Sequence, residues 1–230
     1  MLKAIVFDLD NTLVNFWVFK KEASAEAAKA MVGAGLPMSA ERAEALIFNI
    51  YKTHGVEYQQ TFSEVIKPFG FEKHLFERIR DAGIVAYLRK KEQVLKPYQG
   101  IVETLAELKK EYKLAVLTDA PREQAHKRLE FTGLQDYFDE VGTFHDTSVM
   151  KPGAEPFLHI CKKLGIQPAE CLMVGDNPAR DMKGARDVGM KTCLAKYDPY
   201  FENEGPKSDF EIDRPGELLE VVKKLSGAGI

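Results

Sequence analysis

The sequence predicts an α/β protein with a doubly wound parallel sheet as its core and an all-helical domain inserted into that core. Short continuous apolar runs, which are typical of strands buried on both faces, alternate with segments whose apolar residues recur at helical spacing. Such alternation favours a parallel sheet covered by helices on both faces. Between the first two runs, a long segment shows helical spacing alone, and this segment predicts the insertion.

These patterns predict five strands and the helices between them. The strands are expected at residues 2–8, 114–117, 172–174 and 192–195, and at 210–212 after an acidic loop at 198–206. The helices follow from apolar stripes: Ile101, Leu105, Leu108 and Tyr112; Ala125 and Leu129; Phe157, Ile160, Cys161 and Leu164; Met182, Ala185 and Val188. Proline marks three first turns and glycine three ends, at Pro121, Pro178, Pro215, Gly133, Gly165 and Gly189. Asn177 is the expected N-cap before Pro178.

The helical insertion is predicted over residues 16–96. Apolar stripes recur there from Phe16 onward without a convincing strand. The segment is long enough to form a subdomain with its own small core. The chain is therefore expected to divide into a core domain, residues 1–15 and 97–230, and a helical domain, residues 16–96.

The composition excludes several classes of protein. The chain has 230 residues, of which 45% are hydrophobic and 29% charged, so it can bury a sizeable core and is not disordered. With 32 basic and 35 acidic side chains its net charge is −3, which is too balanced for wholesale attraction to nucleic acid or lipid. No stretch resembles a membrane span or signal peptide, so a cytoplasmic location is expected. The widely spaced Cys161, Cys171 and Cys193 are expected to be buried hydrophobes.

Polar residues gather where the predicted strands end. The run D-L-D-N-T at 8–12 ends the first strand, and T-D at 118–119 follows the second. K-P stands at 151–152, and G-D-N-P-A-R-D at 175–181 follows a third strand. Open parallel sheets bind ligands outside the carboxyl ends of their strands. The sequence therefore predicts one site to which all four segments contribute.

The acidic residues of these segments indicate a cation. Asp8 and Asp10 project to the same side of an extended chain, so two carboxylates share one small volume. Such a pair favours either a bound cation or a division into one acid and one base. Asp176 and Asp181 add further oxygen atoms, and oxygen ligands without nearby His or Cys favour Mg²⁺. Each acidic segment alone is equally typical of a surface turn.

The remaining polar residues suit an anionic ligand. Lys151, fixed before Pro152, is a positioned charge that would keep a carboxylate ionised and neutralise an anionic substrate. The Thr118 hydroxyl and the amides that follow it, from Asp119 onward, are placed to face an oxyanion. The alternatives are a solvated surface lysine and an ordinary strand threonine. Arg122 and Arg180 also lie near strand ends.

In this order, the four segments resemble those of the haloacid dehalogenase-like hydrolase superfamily. The resemblance extends from Ile5 to about Lys196, and four short motifs in this order are not expected to coincide by chance. The helical insertion is similar to the cap of the phosphoglycolate phosphatase-like branch. The resemblance implies a Rossmann-like core with a helical cap domain.

The resemblance also implies a role for each residue of the site. The position of Asp8 is the nucleophile of the family, and that of Asp10 is the general acid and base. Substrate is expected to bind at Thr118, Asp119 and Lys151. Of these, Thr118 and Lys151 match the family residues that hold phosphoryl groups.

Metal binding in the family implies a Mg²⁺ site made by four aspartates. The expected ligands are Asp8, the main-chain carbonyl of Asp10, and Asp176, with Asp181 supporting them directly or through a neighbour. The function implied is hydrolysis of small phosphate monoesters by a Mg²⁺-dependent phosphatase, through an aspartyl-phosphate.

Two other functions stay open at this point. A phosphomutase of the same fold also retains both aspartates, although such enzymes usually carry Gly where this chain has Asn11. The second open function is a binding or regulatory module without catalytic turnover, and the intact set of motif residues argues against it. The expected partner is a small phosphorylated metabolite, with neither nucleic acid nor a membrane involved, for a monomer or homodimer. The identity of the metabolite is left open by the sequence.

Overall fold

The computed structural model describes residues 1–198 and 205–227, so most of the predicted acidic loop lies outside the described residues. The chain separates into two compact units, Met1–Asn15 with Lys96–Ile230, and Phe16–Leu95. Lys96, which was predicted to end the insertion, belongs to the first unit. Its backbone N–H donates to Oδ1 of Asn15 at 2.8 Å, and its carbonyl accepts from the Asn15 N–H at 3.1 Å. The two segments at which the chain leaves and re-enters the first unit are thus paired with each other.

The second unit is built from helices. They are α1 (Phe16–Gly33), α2 (Ala40–His54), α3 (Thr61–Ile66) and α4 (Lys73–Val94), with a short 3₁₀ turn at Lys67–Phe69. Helix α1 packs against both α2 and α4. Met31, Ile47, Val65 and Ile79 are buried together between the helices. The predicted all-helical insertion is confirmed, and it has its own apolar core.

The first unit contains the parallel sheet that the sequence predicts. Among the described residues the sheet has six strands in the spatial order β3–β2–β1–β4–β5–β6. The strands are β1 (Ala4–Phe7), β2 (Lys113–Leu117), β3 (Glu140–Gly142), β4 (Cys171–Gly175), β5 (Lys191–Ala195) and β6 (Phe210–Ile212). The chain winds outward from β1 to β3 and then crosses to the other side of β1. Ligands bind at such a reversal of strand order, which here falls between β1 and β4.

Helices cover this sheet. They are α5 (Ile101–Leu108), α6 (Arg122–Phe131), α7 (Phe144–Thr147), α8 (Ala154–Leu164), α9 (Lys183–Asp187) and α10 (Leu218–Ser226). Phe157 and Ile160 of α8 are buried against Val6 and Met173 of the central strands. All three cysteines are buried and free, as predicted. None of the helices in the described parts of the chain combines the length and apolarity that crossing a bilayer would require.

The sequence prediction missed strand β3 and misplaced two helix ends. Strand β3 is only three residues long, and Val141 is its one large apolar side chain, so it leaves no apolar run to detect. Helix α5 ends at Leu108, which leaves Tyr112 beyond the stripe it was assigned to. Pro121 precedes α6 as its N-cap residue, one position before the first turn. The predicted N-cap is confirmed, because the Asn177 side chain accepts from the Arg180 N–H at 3.0 Å.

Candidate active site

The register of the sheet brings Asp8 and Asp176 together. Strands β1 and β4 are neighbours, with Phe7 opposite Val174, and the Asp8 N–H donates to the Val174 carbonyl at 2.8 Å. The two aspartates therefore leave adjacent strand ends at the reversal of strand order. Carboxylate oxygens of Asp8, Asp176 and Asp181 all lie within 4.8 Å of one another. The two acidic segments thus converge on one acidic cluster, Asp8, Asp176 and Asp181.

Asp181 is positioned by the tight turn that follows β4. Residues Pro178–Met182 form a π-helical turn, and Oδ2 of Asp181 accepts from the Asn177 N–H at 3.1 Å. A Cβ on Gly175 would lie 2.5 Å from that same oxygen, which is closer than any real contact of this kind. Gly175 therefore leaves the space in which the Asp181 carboxylate packs against the backbone.

Lys151 is the cation of the cluster. Its Nζ lies 2.5 Å from Oδ1 of Asp8 and 2.6 Å from Oδ1 of Asp181, and it donates to the Leu117 carbonyl at 3.1 Å. The side chain is only 1% exposed, so the solvated surface lysine considered above is wrong for this residue. A buried ammonium is stable only when such partners replace its hydration.

Burial and charge shift the pKa values of the cluster. Burial raises the pKa of Asp8 to about 6, with the nearby Lys151 ammonium opposing the rise. Burial also raises the pKa of Asp176 well above its ordinary value, and the charges of Asp8 and Asp181 add to that rise. Burial works against the charge on Lys151, but Asp181 and Asp8 outweigh it and raise the Lys151 pKa. Three carboxylates thus share one ammonium, and further positive charge would be favourable there.

In the presence of EDTA, we expect the free energy of unfolding to fall as the pH rises from about 4 to about 6. The folded-state pKa of Asp8, about 6, lies above its ordinary value of 3.8, so in this window the folded chain binds more protons than the unfolded chain. Ionised Asp8 then destabilises the folded state at higher pH, because burial disfavours its charge. Urea denaturation across this range measures the fall. Asp8→Asn removes one of the two carboxyls whose pKa burial raises, so its pH slope should be shallower, and a slope equal to that of the wild type would contradict the assignment.

Thr118 and Asp119 follow β2 and form a turn. The Thr118 hydroxyl oxygen accepts from the Ala120 N–H at 3.1 Å, which fixes the orientation of a buried side chain. Oδ1 of Asp119 accepts from the Lys151 N–H at 2.9 Å, and Oδ2 accepts from the Arg180 guanidinium. The Asp119 carboxylate therefore joins three segments of the site.

Asp10 lies outside the acidic cluster of three. Its Oδ2 accepts from Nη1 of Arg128 at 2.6 Å, and the Arg128 side chain is only 3% exposed. Sequence reasoning missed Arg128. The signal was present, since Ala125, Arg128 and Leu129 form the buried face of α6 and a charged residue stands at an inward position.

Two tyrosines that sequence reasoning also missed hold the turn after Asp10. The Tyr197 hydroxyl donates to the Thr12 carbonyl at 2.6 Å, and the Tyr98 hydroxyl donates to the Asp198 carboxylate. The two rings pack edge to face with centroids 5.0 Å apart. These contacts tie both paired segments near Asn15 and Lys96 to the end of β5.

Comparison with known proteins identifies the family of this site. The model of the haloacid dehalogenase-like hydrolases matches residues 5–195, which include every residue of the acidic cluster. The chain belongs to the haloacid dehalogenase-like hydrolase family. The family resemblance given by the motifs is therefore confirmed.

Curated relatives of this hydrolase are named as phosphatases. The glyceraldehyde 3-phosphate phosphatase of Methanocaldococcus jannaschii is 34% identical over 227 residues, covering 98% of this chain and 99% of the relative. The phosphatase of the same name from Methanopyrus kandleri is 32% identical over 233 residues, with 98% and 99% coverage. Among solved structures, a phosphatase of this superfamily from Thermococcus onnurineus has a TM-score of 0.68 and 25% identity, covering 96% of this chain and 98% of that one. The chain is accordingly an enzyme of a hydrolase family, and its curated relatives are phosphatases by name.

Proposed function

We propose that this hydrolase is a Mg²⁺-dependent phosphatase of small phosphate monoesters that acts through an aspartyl-phosphate on Asp8. The observation that carries the proposal is the placement of Asp8, whose carboxylate lies 2.5 Å from the Lys151 ammonium inside a cluster of three carboxylates. A carboxylate attacks a phosphate dianion only where positive charge offsets their repulsion. The names of the curated relatives make glyceraldehyde 3-phosphate the first substrate to test.

The residues present fit Mg²⁺. The acidic cluster offers carboxylate oxygens alone, and these are the donors that Mg²⁺ prefers. Burial disfavours three ionised carboxylates beside one ammonium, so a divalent ion would relieve their repulsion. We assign Asp8, the Asp10 carbonyl and Asp176 as ligands, with Asp181 in support. When bound, the ion supplies Lewis-acid neutralisation of phosphoryl charge.

The residues then divide the two chemical steps between them. Asp8 attacks phosphorus, so that an O–P bond forms to its carboxylate while the bond from phosphorus to the leaving oxygen breaks. Asp10, which carries a proton when the ester binds, donates it to that oxygen as the alcohol departs. Asp10, now ionised, takes a proton from the water that attacks the aspartyl-phosphate, and phosphate and free Asp8 result. Thr118, the Asp119 amide and Lys151 hold the phosphoryl oxygens throughout.

We assign the helical unit Phe16–Leu95 as the cap domain of this enzyme. Its insertion directly after the turn that follows Asp10 supports the assignment, because the chain enters the unit from the proposed site. A cap of this kind suits small metabolites, and large phosphoprotein substrates are not expected.

A phosphomutase remains the second candidate, because the presence of Asn rather than Gly at position 11 does not argue against it. Asn11 has a φ of 62°, in the left-handed region. Gly adopts this conformation without cost, and Asn does so more readily than other residues with side chains. The exchange of Gly for Asn at this position is therefore explained by the backbone and does not discriminate between phosphatase and mutase.

Release of inorganic phosphate from a panel of small phosphate esters tests the proposal. With Mg²⁺ we expect release from at least one ester, and with excess EDTA a loss of at least about 100-fold that added Mg²⁺ restores. Conversion of a sugar phosphate into its isomer without net phosphate release would favour the mutase. Phosphate release that is unaffected by EDTA would contradict the metal assignment.

A further inference from the structure

The pair formed by Arg128 and Asp10 is a buried charge pair that the two chemical steps leave unexplained. Arg128 lies on α6 and Asp10 follows β1, and their closest atoms, Nη1 and Oδ2, are 2.6 Å apart. The Asp10 side chain is 22% exposed, so this carboxylate lies at the border between the interior and the solvent. The pair thus joins the inner face of a helix to the edge of the proposed site.

Stability is a weak reason for such a pair. Removing a guanidinium from water is expensive, and apolar side chains often replace buried ion pairs without loss of stability. The neighbours of Arg128 on the buried face of α6, Ala125 and Leu129, show that apolar side chains pack there. The charge of Arg128 at this position therefore indicates a role in its contact with the Asp10 carboxylate.

We propose that Arg128 is a positioning residue that orients the Asp10 carboxylate for proton transfer. The inference rests on the proposed function, in which Asp10 exchanges a proton with the leaving oxygen and then with water. Proton transfer requires a donor held within hydrogen-bond reach of the reacting oxygen. The contact from Nη1 to Oδ2 restrains the rotation of the Asp10 carboxylate.

Leaving groups that differ in basicity test this role. An alkyl phosphate such as glycerol 3-phosphate needs a proton on its leaving oxygen, whereas nitrophenyl phosphate has a leaving group that departs without one. For Arg128→Met we expect kcat/KM to fall by about 100-fold for the alkyl ester and by less than about 5-fold for the nitrophenyl ester. Arg128→Lys retains a donor and is expected to recover part of the alkyl activity.

Two comparisons separate positioning from a general effect on the fold. Lys127→Met, at the exposed neighbour that pairs with Glu123, is the matched control and should leave both activities within about 2-fold. In an Asp10→Asn background, Arg128→Met should lower kcat/KM for the alkyl ester by less than about 3-fold, because the carboxylate through which Arg128 acts is already absent.

The outcomes are distinct. Equal losses for both esters, or an undiminished loss in the Asp10→Asn background, would overturn the inference. If Arg128→Met does not fold, the same ester comparison is made with Arg128→Lys, where equal losses overturn it as well. A wild-type chain that releases phosphate from no ester of the panel with Mg²⁺ contradicts the proposed function itself, before any variant is compared.

Discussion

Asp8→Asn is expected to lower kcat for phosphate release by at least about 10⁴-fold, the range seen when a nucleophile is removed from a hydrolase. The amide has nearly the shape of the carboxylate but cannot form an acyl phosphate. It also loses the charge that lies 2.5 Å from the Lys151 ammonium. The steady-state rate of phosphate release, followed with a substrate on which the wild type is active, measures the effect.

The same variant tests the intermediate directly. Wild-type enzyme quenched during turnover of ³²P-labelled substrate should retain a label that hydroxylamine releases, as an aspartyl-phosphate would, and Asp8→Asn should retain none. Asp136→Asn makes the same chemical change on an exposed side chain of the first unit and should behave as the wild type. Turnover that survives in Asp8→Asn would exclude this residue as the nucleophile.

The sheet and the acidic cluster were predictable because both depend on features that are local in sequence. Apolar runs mark buried strands, and the polar residues that end those strands must meet at one edge of a parallel sheet. Predicting that Asp8 and Asp176 lie close together therefore required only that their strands be neighbours in the sheet. The spacing within 175–181 then placed Asp181 one turn further along the same loop.

The features that could not be predicted from the sequence depend on contacts between distant segments of the chain. Arg128 meets Asp10 across 118 positions, and nothing near either residue shows which side chain the other faces. The sequence assigned no contact to the Asp119 carboxylate, which accepts from the Lys151 N–H across 32 positions, as only the folded loop reveals. Likewise, the Tyr197 hydroxyl donates to the Thr12 carbonyl across 185 positions, beside the left-handed Asn11, and neither feature can be read from the sequence near that turn.

Lys151→Met should reduce both activity and stability, because this one cation offsets the charges of a buried acidic cluster. Met has about the length of the lysine stem but leaves Asp8 and Asp181 without the ammonium that lies 2.5 and 2.6 Å away. Breaking a buried ion pair in this way typically costs about 3–5 kcal/mol. Loss of the charge that holds phosphoryl oxygens should lower kcat/KM by at least about 10³-fold. Urea denaturation in EDTA and steady-state kinetics measure the two effects.

Mg²⁺ distinguishes this electrostatic explanation from a simple packing defect. A divalent ion bound by the acidic cluster would replace part of the missing positive charge, so Mg²⁺ should stabilise Lys151→Met more than it stabilises the wild type. Lys163→Met is the matched control, since Lys163 pairs with Glu140 at 2.6 Å while about a third exposed, and it should change stability by less than about 1 kcal/mol. If Lys151→Met were as stable as Lys163→Met in EDTA, the cluster would not depend on its lysine. A loss of stability that Mg²⁺ leaves unchanged would instead point to packing around the lysine stem, and would separate the role of Lys151 in the fold from its role at the phosphoryl group.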